Sequence, residues 1–417
     1  MTSPADLARP DLDAAQQAYA DLKAAGMSLD LTRGKPSSAQ LDLAAALLTE
    51  PLADFRAADG TDTRNYGGLN GLKELREIFA PVLQVPVDQL VAFGNSSLEL
   101  MYETVAQALL TAMPGANGRW ADEDRIVFLA PVPGYDRHFA LCEKLGVELV
   151  TVPMTEDGPD MDVVEELVAG DPAIKGIWCV PKYSNPDGAI YSDEVTRRLA
   201  TMTTAAPDFR VFWDNAYAVH HLTDTEHEVA DVLALAAEAG HADRVFVFGS
   251  TSKITLAGAG VSFLGASPAN VAWWLAVAGK RSIGPDKTNH LRHARFLRDA
   301  DGVRAHMRKH REIIEPKFAA VEDVLSRNFA DTPGVSWSKP RGGYFVTLTV
   351  PDGTATEIVR LAKEAGIALT PAGSTHPYGE DPEDRTIRLA PTFPVLDEVR
   401  KAMEGVAICV KLALAQR

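Results

Sequence analysis

The sequence predicts an α/β protein: a mostly parallel central sheet in a large domain, joined to a smaller α+β domain. Two patterns and a size argument lead there. From about residue 70, short β-rich runs alternate with helical stretches, as in strand–helix–strand units whose parallel strands are covered on both faces. Near the C-terminus the order changes, with β-rich runs at 335–337, 343–350, 366–369 and 386–390 and helical runs at 355–365 and 396–415. The 417 residues exceed what one core ordinarily fills and suffice for two.

The first element is a helical pattern over 12–25, closed by Gly26. Residues 31–66 read as loop, with Thr32-Arg33-Gly34-Lys35-Pro36 at one end and Arg64-Asn65-Tyr66-Gly67-Gly68 at the other. Strands are expected at 125–129, 148–152, 174–180, 210–213, 244–248 and 261–265, where β-branched and aromatic residues cluster. Helices are expected between them, at 97–113 and 161–169 among others, and a helix-rich stretch covers 286–328. The expected division is an N-terminal arm with part of the small domain (1–50), a large domain (51–300) and a small C-terminal domain (301–417). Without a flexible linker the two domains should share an interface, where ligands commonly bind.

Composition narrows the functional classes. With 46% hydrophobic and 24% charged residues, the chain has the profile of a globular protein. A net charge of −16 opposes nucleic acid and anionic membranes as partners. Cys142, Cys179 and Cys409 are odd in number, widely spaced and without a CxxC pair, which argues against a disulfide framework or a zinc site, and Cys179 and Cys409, set in apolar runs, read as buried thiols. The N-terminus lacks the basic and apolar regions of a targeting signal, and no run of 18 apolar residues occurs, so a cytoplasmic location is expected.

Three segments carry chemistry. In Phe248-Gly-Ser-Thr-Ser-Lys253-Ile-Thr-Leu-Ala-Gly-Ala-Gly260, a strand runs into small hydroxyl residues, a lysine and glycines. Ligands of open α/β sheets bind beyond the carboxyl ends of strands. A lysine placed there forms a Schiff base once its amine is partly desolvated. Ser250 and Ser252 suit a phosphate; the alternative is a solvated surface lysine. In Val211-Phe-Trp-Asp214-Asn-Ala-Tyr217, a carboxylate follows an apolar strand, with a phenol three residues on. That pair suits a pyridine cofactor, whose ring nitrogen must stay protonated to act as an electron sink. The alternative is an aspartate capping a helix. Pro181-Lys-Tyr-Ser-Asn185-Pro186-Asp-Gly188 is either a plain turn or the source of an amide that hydrogen-bonds the cofactor's ring oxygen.

In this order the segments resemble the class I aminotransferases of the fold type I pyridoxal 5'-phosphate (PLP) superfamily. The resemblance is closest to a divergent bacterial branch similar to aspartate aminotransferases, and it runs over nearly the whole chain. It implies that residues 51–300 bind PLP, with Lys253 holding the cofactor, Asp214 protonating its ring, and Asn185 and Tyr217 at its ring oxygen. Gly94-Asn95-Ser96-Ser97-Leu98 resembles the family's turn into a helix, so Asn95, Ser96 and Ser97 would hold the phosphate at a helix N-terminus. Tyr135 matches the aromatic that stacks on the pyridine. Tyr66 matches the tyrosine that reaches the neighbouring subunit's cofactor, which implies a homodimer. Arg341-Gly-Gly-Tyr-Phe345 matches a small-domain strand, and Arg385-Thr-Ile-Arg388 the segment whose arginine grips the substrate α-carboxylate, a role that falls to Arg388.

One departure stands out. Where the family usually places a phosphate-pairing arginine after the lysine, this chain has Ala259-Gly260-Val261. The phosphate would then rely on Ser250, Ser252, the 95–97 turn, Tyr66 and Lys287. The implied reaction is a ping-pong transfer of the amino group of an acidic amino acid, aspartate first, to 2-oxoglutarate, with Lys253 as base and then acid. Arg33, beside Gly34, and Arg137 are the candidates for the distal carboxylate, joining Arg388 and Asn185 at the substrate. Other amino donors (aromatic, kynurenine, alanine, 2-aminoadipate) and C–S β-lysis remain open. A non-enzymatic PLP-binding regulator is opposed by the charge and by motifs that begin near residue 31. His220, His221, His290 and His293 are expected to be structural, and no metal-binding motif is present.

Overall fold

The structure, a computed structural model, describes residues 11–417; the first ten residues, on which the reading of the N-terminus rests, lie outside the described residues. The strands are β1 (Leu29–Asp30), β2 (Leu90–Phe93), β3 (Val127–Val132), β4 (Glu148–Thr155), β5 (Gly158–Pro159), β6 (Ile174–Cys179), β7 (Arg210–Asp214), β8 (Val245–Ser250), β9 (Ser262–Ala266), β10 (Ser336–Trp337), β11 (Val346–Thr349), β12 (Ile367–Ala368) and β13 (Thr386–Leu389).

Eight of them form the central sheet, in the order β2-β9-β8-β7-β6-β3-β4-β5. Only β5 and β9 run against the rest, so the sheet is mostly parallel, as its sequence pattern requires. Alternation along each strand sorts side chains onto two apolar layers. Val127, Leu129, Ile177, Val211, Trp213, Val245 and Val247 face one core. Phe128, Trp178, Phe212, Phe246 and Phe248 face the other. On that second face Phe128, Trp178 and Phe212 interlock at ring separations of 4.8–5.7 Å. Gly176 sits directly across from Phe128, and a Cβ there would lie 2.7 Å from the ring, so no larger residue fits under that aromatic layer.

A second unit packs beside the sheet. Antiparallel β10-β11-β13 is covered by helices Ala355–Glu364 and Leu396–Ala415. The N-terminal segment joins it: β1 pairs in parallel with β12, and helix Leu12–Ala24 lies on the C-terminal helix through Ala15, Tyr19 and Leu22. Asp11 caps that helix, its side chain accepting from the amides of Asp13 and Ala14. The 30-residue helix Ala300–Phe329 belongs to both units. Val303 and Met307 pack in the large core, whereas Ile314 onward packs in the small one.

The segment expected to be loop at 31–66 contains two short helices, Ser38–Asp42 and Ala46–Thr49. The strand expected at 343–350 shortens to β11: Gly342 lies against the Tyr183 ring, and Gly343, against the Tyr183 backbone, gives its amide to the His220 carbonyl at 2.9 Å instead of to the ladder. All three cysteines are free and buried. Among the described residues no helix is long and apolar enough to cross a membrane.

Candidate active site

Strands β2, β3, β6, β7 and β8 point the same way, and the loop beyond each carboxyl end reaches one cleft of about 850 Å³. β2 leads to Ser96 and Ser97, and β3 to Tyr135 and Arg137. β6 leads to Asn185, β7 to Asp214 and Tyr217, and β8 to Ser250, Ser252 and Lys253. Arg33 and Gly34 line the cleft from the N-terminal arm and Arg388 from β13.

Asp214 is the last residue of β7 and is buried. No helix starts after it, so it is not a helix cap. Its Oδ2 lies 3.1 Å from Nε2 of His138, itself buried and stacked on Trp178 at 4.3 Å. Its Oδ1 is buried without a hydrogen-bond partner. A carboxylate oxygen left bare in the interior is costly unless a donor meets it. His138 had no place among the sequence-based candidates. Its signal was its spacing: three residues after Tyr135, it shares a helix face with that ring, which meets it edge-on at 4.9 Å.

Lys253 is half-buried, with Nζ 5.0 Å from the centre of the Tyr217 ring. Burial lowers its pKa from the ordinary 10.5, and the nearby Asp214 charge opposes that shift. Burial, reinforced by neighbouring Tyr135 and Asp214, raises the Tyr217 pKa well above the usual range, so this phenol stays a donor. A polar cluster holds the backbone beneath the lysine. The Lys253 carbonyl accepts from Tyr344 Oη at 3.4 Å and lies 3.3 Å from His220 Nε2; the Ile254 carbonyl lies 2.8 Å from His306 Nε2. Gln40, from the arm, donates to Tyr344 Oη at 2.9 Å and lies 3.1 Å from His310 Nδ1. His220 belongs to this cluster, and His290 and His293 lie against the Leu72 amide and the Thr255 hydroxyl.

Arg388 is buried, its NH1 donating to Asp136 Oδ1 at 2.8 Å and to Asn185 Oδ1 at 3.4 Å. Its guanidinium lies over the Phe345 ring at 5.1 Å. Gly34 presses on the same ring. Arg33 and Arg137 are exposed, and neither is ion-paired among the described residues.

Ser96 and Ser97 open helix Ser97–Leu110, and no side chain caps its first amides. Ser250 Oγ donates to Ser252 Oγ at 3.1 Å, and Ser252 Oγ to the Asn95 carbonyl at 3.2 Å. Asn95 itself is exposed and does not line the cleft. Tyr66 is 82% exposed and stands outside the cleft of its own chain. Lys287 departs from its expected place at a phosphate: its Nζ donates to the Asn65 and Gly67 carbonyls at 2.7 and 2.6 Å, so it clamps the loop that carries Tyr66.

Comparison with known proteins gives the family. The family described as aspartate amino-transferase matches residues 3–417. A putative aminotransferase of Mycolicibacterium smegmatis is 58% identical over 404 residues, covering 96% of this chain and 94% of that protein. An aspartate aminotransferase of Corynebacterium glutamicum is 52% identical over 399 residues, covering 95% and 92%. The crystal structure of an aspartate transaminase from C. glutamicum superposes with a TM-score of 0.95 at 51% identity, covering 97% of this chain and 95% of that one. The chain therefore belongs to the aspartate amino-transferase family, with the fold type I architecture, and is an aminotransferase.

Proposed function

We propose that this enzyme moves the amino group of aspartate to 2-oxoglutarate in two half-reactions, using pyridoxal 5'-phosphate. The observation that carries the cofactor reading is the bare, buried Oδ1 of Asp214 in the same cleft as a desolvated lysine. A protonated pyridine nitrogen is the donor that oxygen lacks, and His138 holds the other oxygen in place. Lys253 would carry the cofactor, Tyr135 would stack on its ring, and Asn185 and Tyr217 would donate to its ring oxygen. Ser250, Ser252 and the helix opening at Ser96 and Ser97 would hold its phosphate, with Asn95 shaping the turn. When bound, the cofactor supplies an electron sink for the carbanion formed at the substrate α-carbon.

The chain's own groups do the rest. Arg388, with Asn185, binds the α-carboxylate. Arg33 and Arg137 offer charge to a distal carboxylate, which favours aspartate and agrees with the name of the C. glutamicum relative. Gly34 brings the arm onto Phe345 and so closes the cleft beside Arg388. Burial favours the neutral amine of Lys253, which accepts the α-proton at Nζ and returns it. Residues 51–300 would form the cofactor domain, which Val303 and Met307 also join, and the described residues of 1–50 with the rest of 301–417 the arm and small domain. Tyr66, exposed on its clamped loop, serves the site of a second subunit in a cytoplasmic homodimer.

Borohydride reduction of the purified enzyme followed by peptide mass spectrometry should place a pyridoxyl adduct on Lys253; an adduct elsewhere, or none, rejects the assignment. Arg33→Ala and Arg137→Ala should damage aspartate turnover far more than alanine turnover, because only aspartate presents a second carboxylate to them. Equal losses on both amino acids would remove the distal-carboxylate role.

A further inference from the structure

We propose that Asp136 is an internal counter-ion of Arg388, competing with substrate carboxylates and setting how tightly the cleft holds them. The proposal rests on the reading of Arg388 as the α-carboxylate anchor. Besides Lys253, five basic side chains line the cleft: Arg33, Lys35, Arg137, Lys363 and Arg388. Of these five only Arg388 has an ion-pair partner among the described residues, Asp136. The pair is unequal in burial, with the Arg388 side chain 6% exposed and that of Asp136 31% exposed.

An arginine whose charge is already balanced is a poorer trap for anions than a bare one. An incoming carboxylate has two options. It displaces Asp136, which must then return to water, or it shares the guanidinium with Asp136 and suffers like-charge repulsion. Both weaken binding relative to an unpaired arginine. Asp136 is placed for such an exchange. It is the first residue of helix Asp136–Leu145, where the helix dipole favours a carboxylate with or without Arg388. Its partial exposure gives the side chain solvent to turn into.

The arrangement fits the demands of amino transfer. Amino acids and 2-oxo acids carry the same α-carboxylate, so energy from Arg388 is gained equally by substrate and product. Such uniform binding does not speed chemistry, and in excess it delays release. A built-in competitor trims it.

The test uses the holoenzyme and its Asp136→Asn and Asp136→Ala variants, with succinate as a non-reactive dicarboxylate and aspartate and 2-oxoglutarate as substrates. The Ki of succinate and both KM values should fall at least tenfold, equivalent to about 1.4 kcal/mol. Without succinate the variants should melt lower than the parent, because Arg388 has lost its counter-ion, and succinate should raise their melting temperature by more than it raises the parent's. Unchanged constants overturn the proposal. Raised ones overturn it too, since they would make Asp136 an orienting partner rather than a competitor. Arg388→Gln separates the two layers. If it leaves the succinate Ki unaltered, the anchor reading fails. If it weakens succinate binding while neither Asp136 variant tightens it, only the counter-ion proposal fails.

Discussion

A methyl group at Gly34 would lie 2.3 Å from Cζ of Phe345 and 2.8 Å from its Cε1, where ordinary contact begins at 3.4 Å. In Gly34→Ala the arm or the ring must therefore retreat by about 1 Å. Phe345 is 6% exposed, so the ring has little free space to enter. It also carries the Arg388 guanidinium at 5.1 Å, so a shifted ring shifts the arginine or withdraws its support. Overpacking of this kind costs ~1–3 kcal/mol of stability. Misplacing a binding group by ~1 Å costs on the order of 10²-fold in rate. Steady-state kinetics with aspartate and 2-oxoglutarate, paired with thermal melting, read both effects. The expected result is a drop of roughly 10–100-fold in kcat/KM for both substrates, because both present an α-carboxylate to Arg388. A variant with wild-type kcat/KM and an unmoved melting temperature would refute the claim that Gly34, Phe345 and Arg388 form one packed stack.

Two further outcomes follow from single observations. Tyr66→Ala should weaken PLP retention measured by dialysis and absorbance, because the ring, 82% exposed in its own chain, is free to reach a second subunit's cofactor; full retention would remove Tyr66 from any cofactor site. Lys182 is 7% exposed, donates to the Ala218 carbonyl at 2.7 Å, and has its pKa pushed down by burial from 10.5 to about 8, against the pull of Glu228 and Glu226. Between those two values the unfolded chain binds the extra proton, so the penalty this lysine imposes is full below pH 8 and fades as pH rises to 10.5. The melting temperature of Lys182→Met, relative to the parent, should thus be highest below pH 8 and decline across that window; a constant difference would show that burial does not lower the Lys182 pKa in the fold.

Sequence by itself determined the α/β class, the mostly parallel sheet and the main chemical groups of the site, for one physical reason. Local period reports which faces are buried, and parallel strands deliver whatever follows them to one edge of the sheet. Asn185, Asp214 and Lys253 each come after an apolar strand, so their meeting in a cleft was implicit once the strands were recognised. Tertiary structure alone decided the partnerships. His138 meets Asp214 across 76 residues, and Arg388 meets Asp136 across 252. Gln40 reaches Tyr344 and His310 from a segment that reads as loop, and Lys287 spends its charge on two backbone carbonyls rather than at a phosphate. No periodicity encodes such contacts, because each depends on where two distant segments come to rest against each other and on which polar atoms burial leaves in need of a partner.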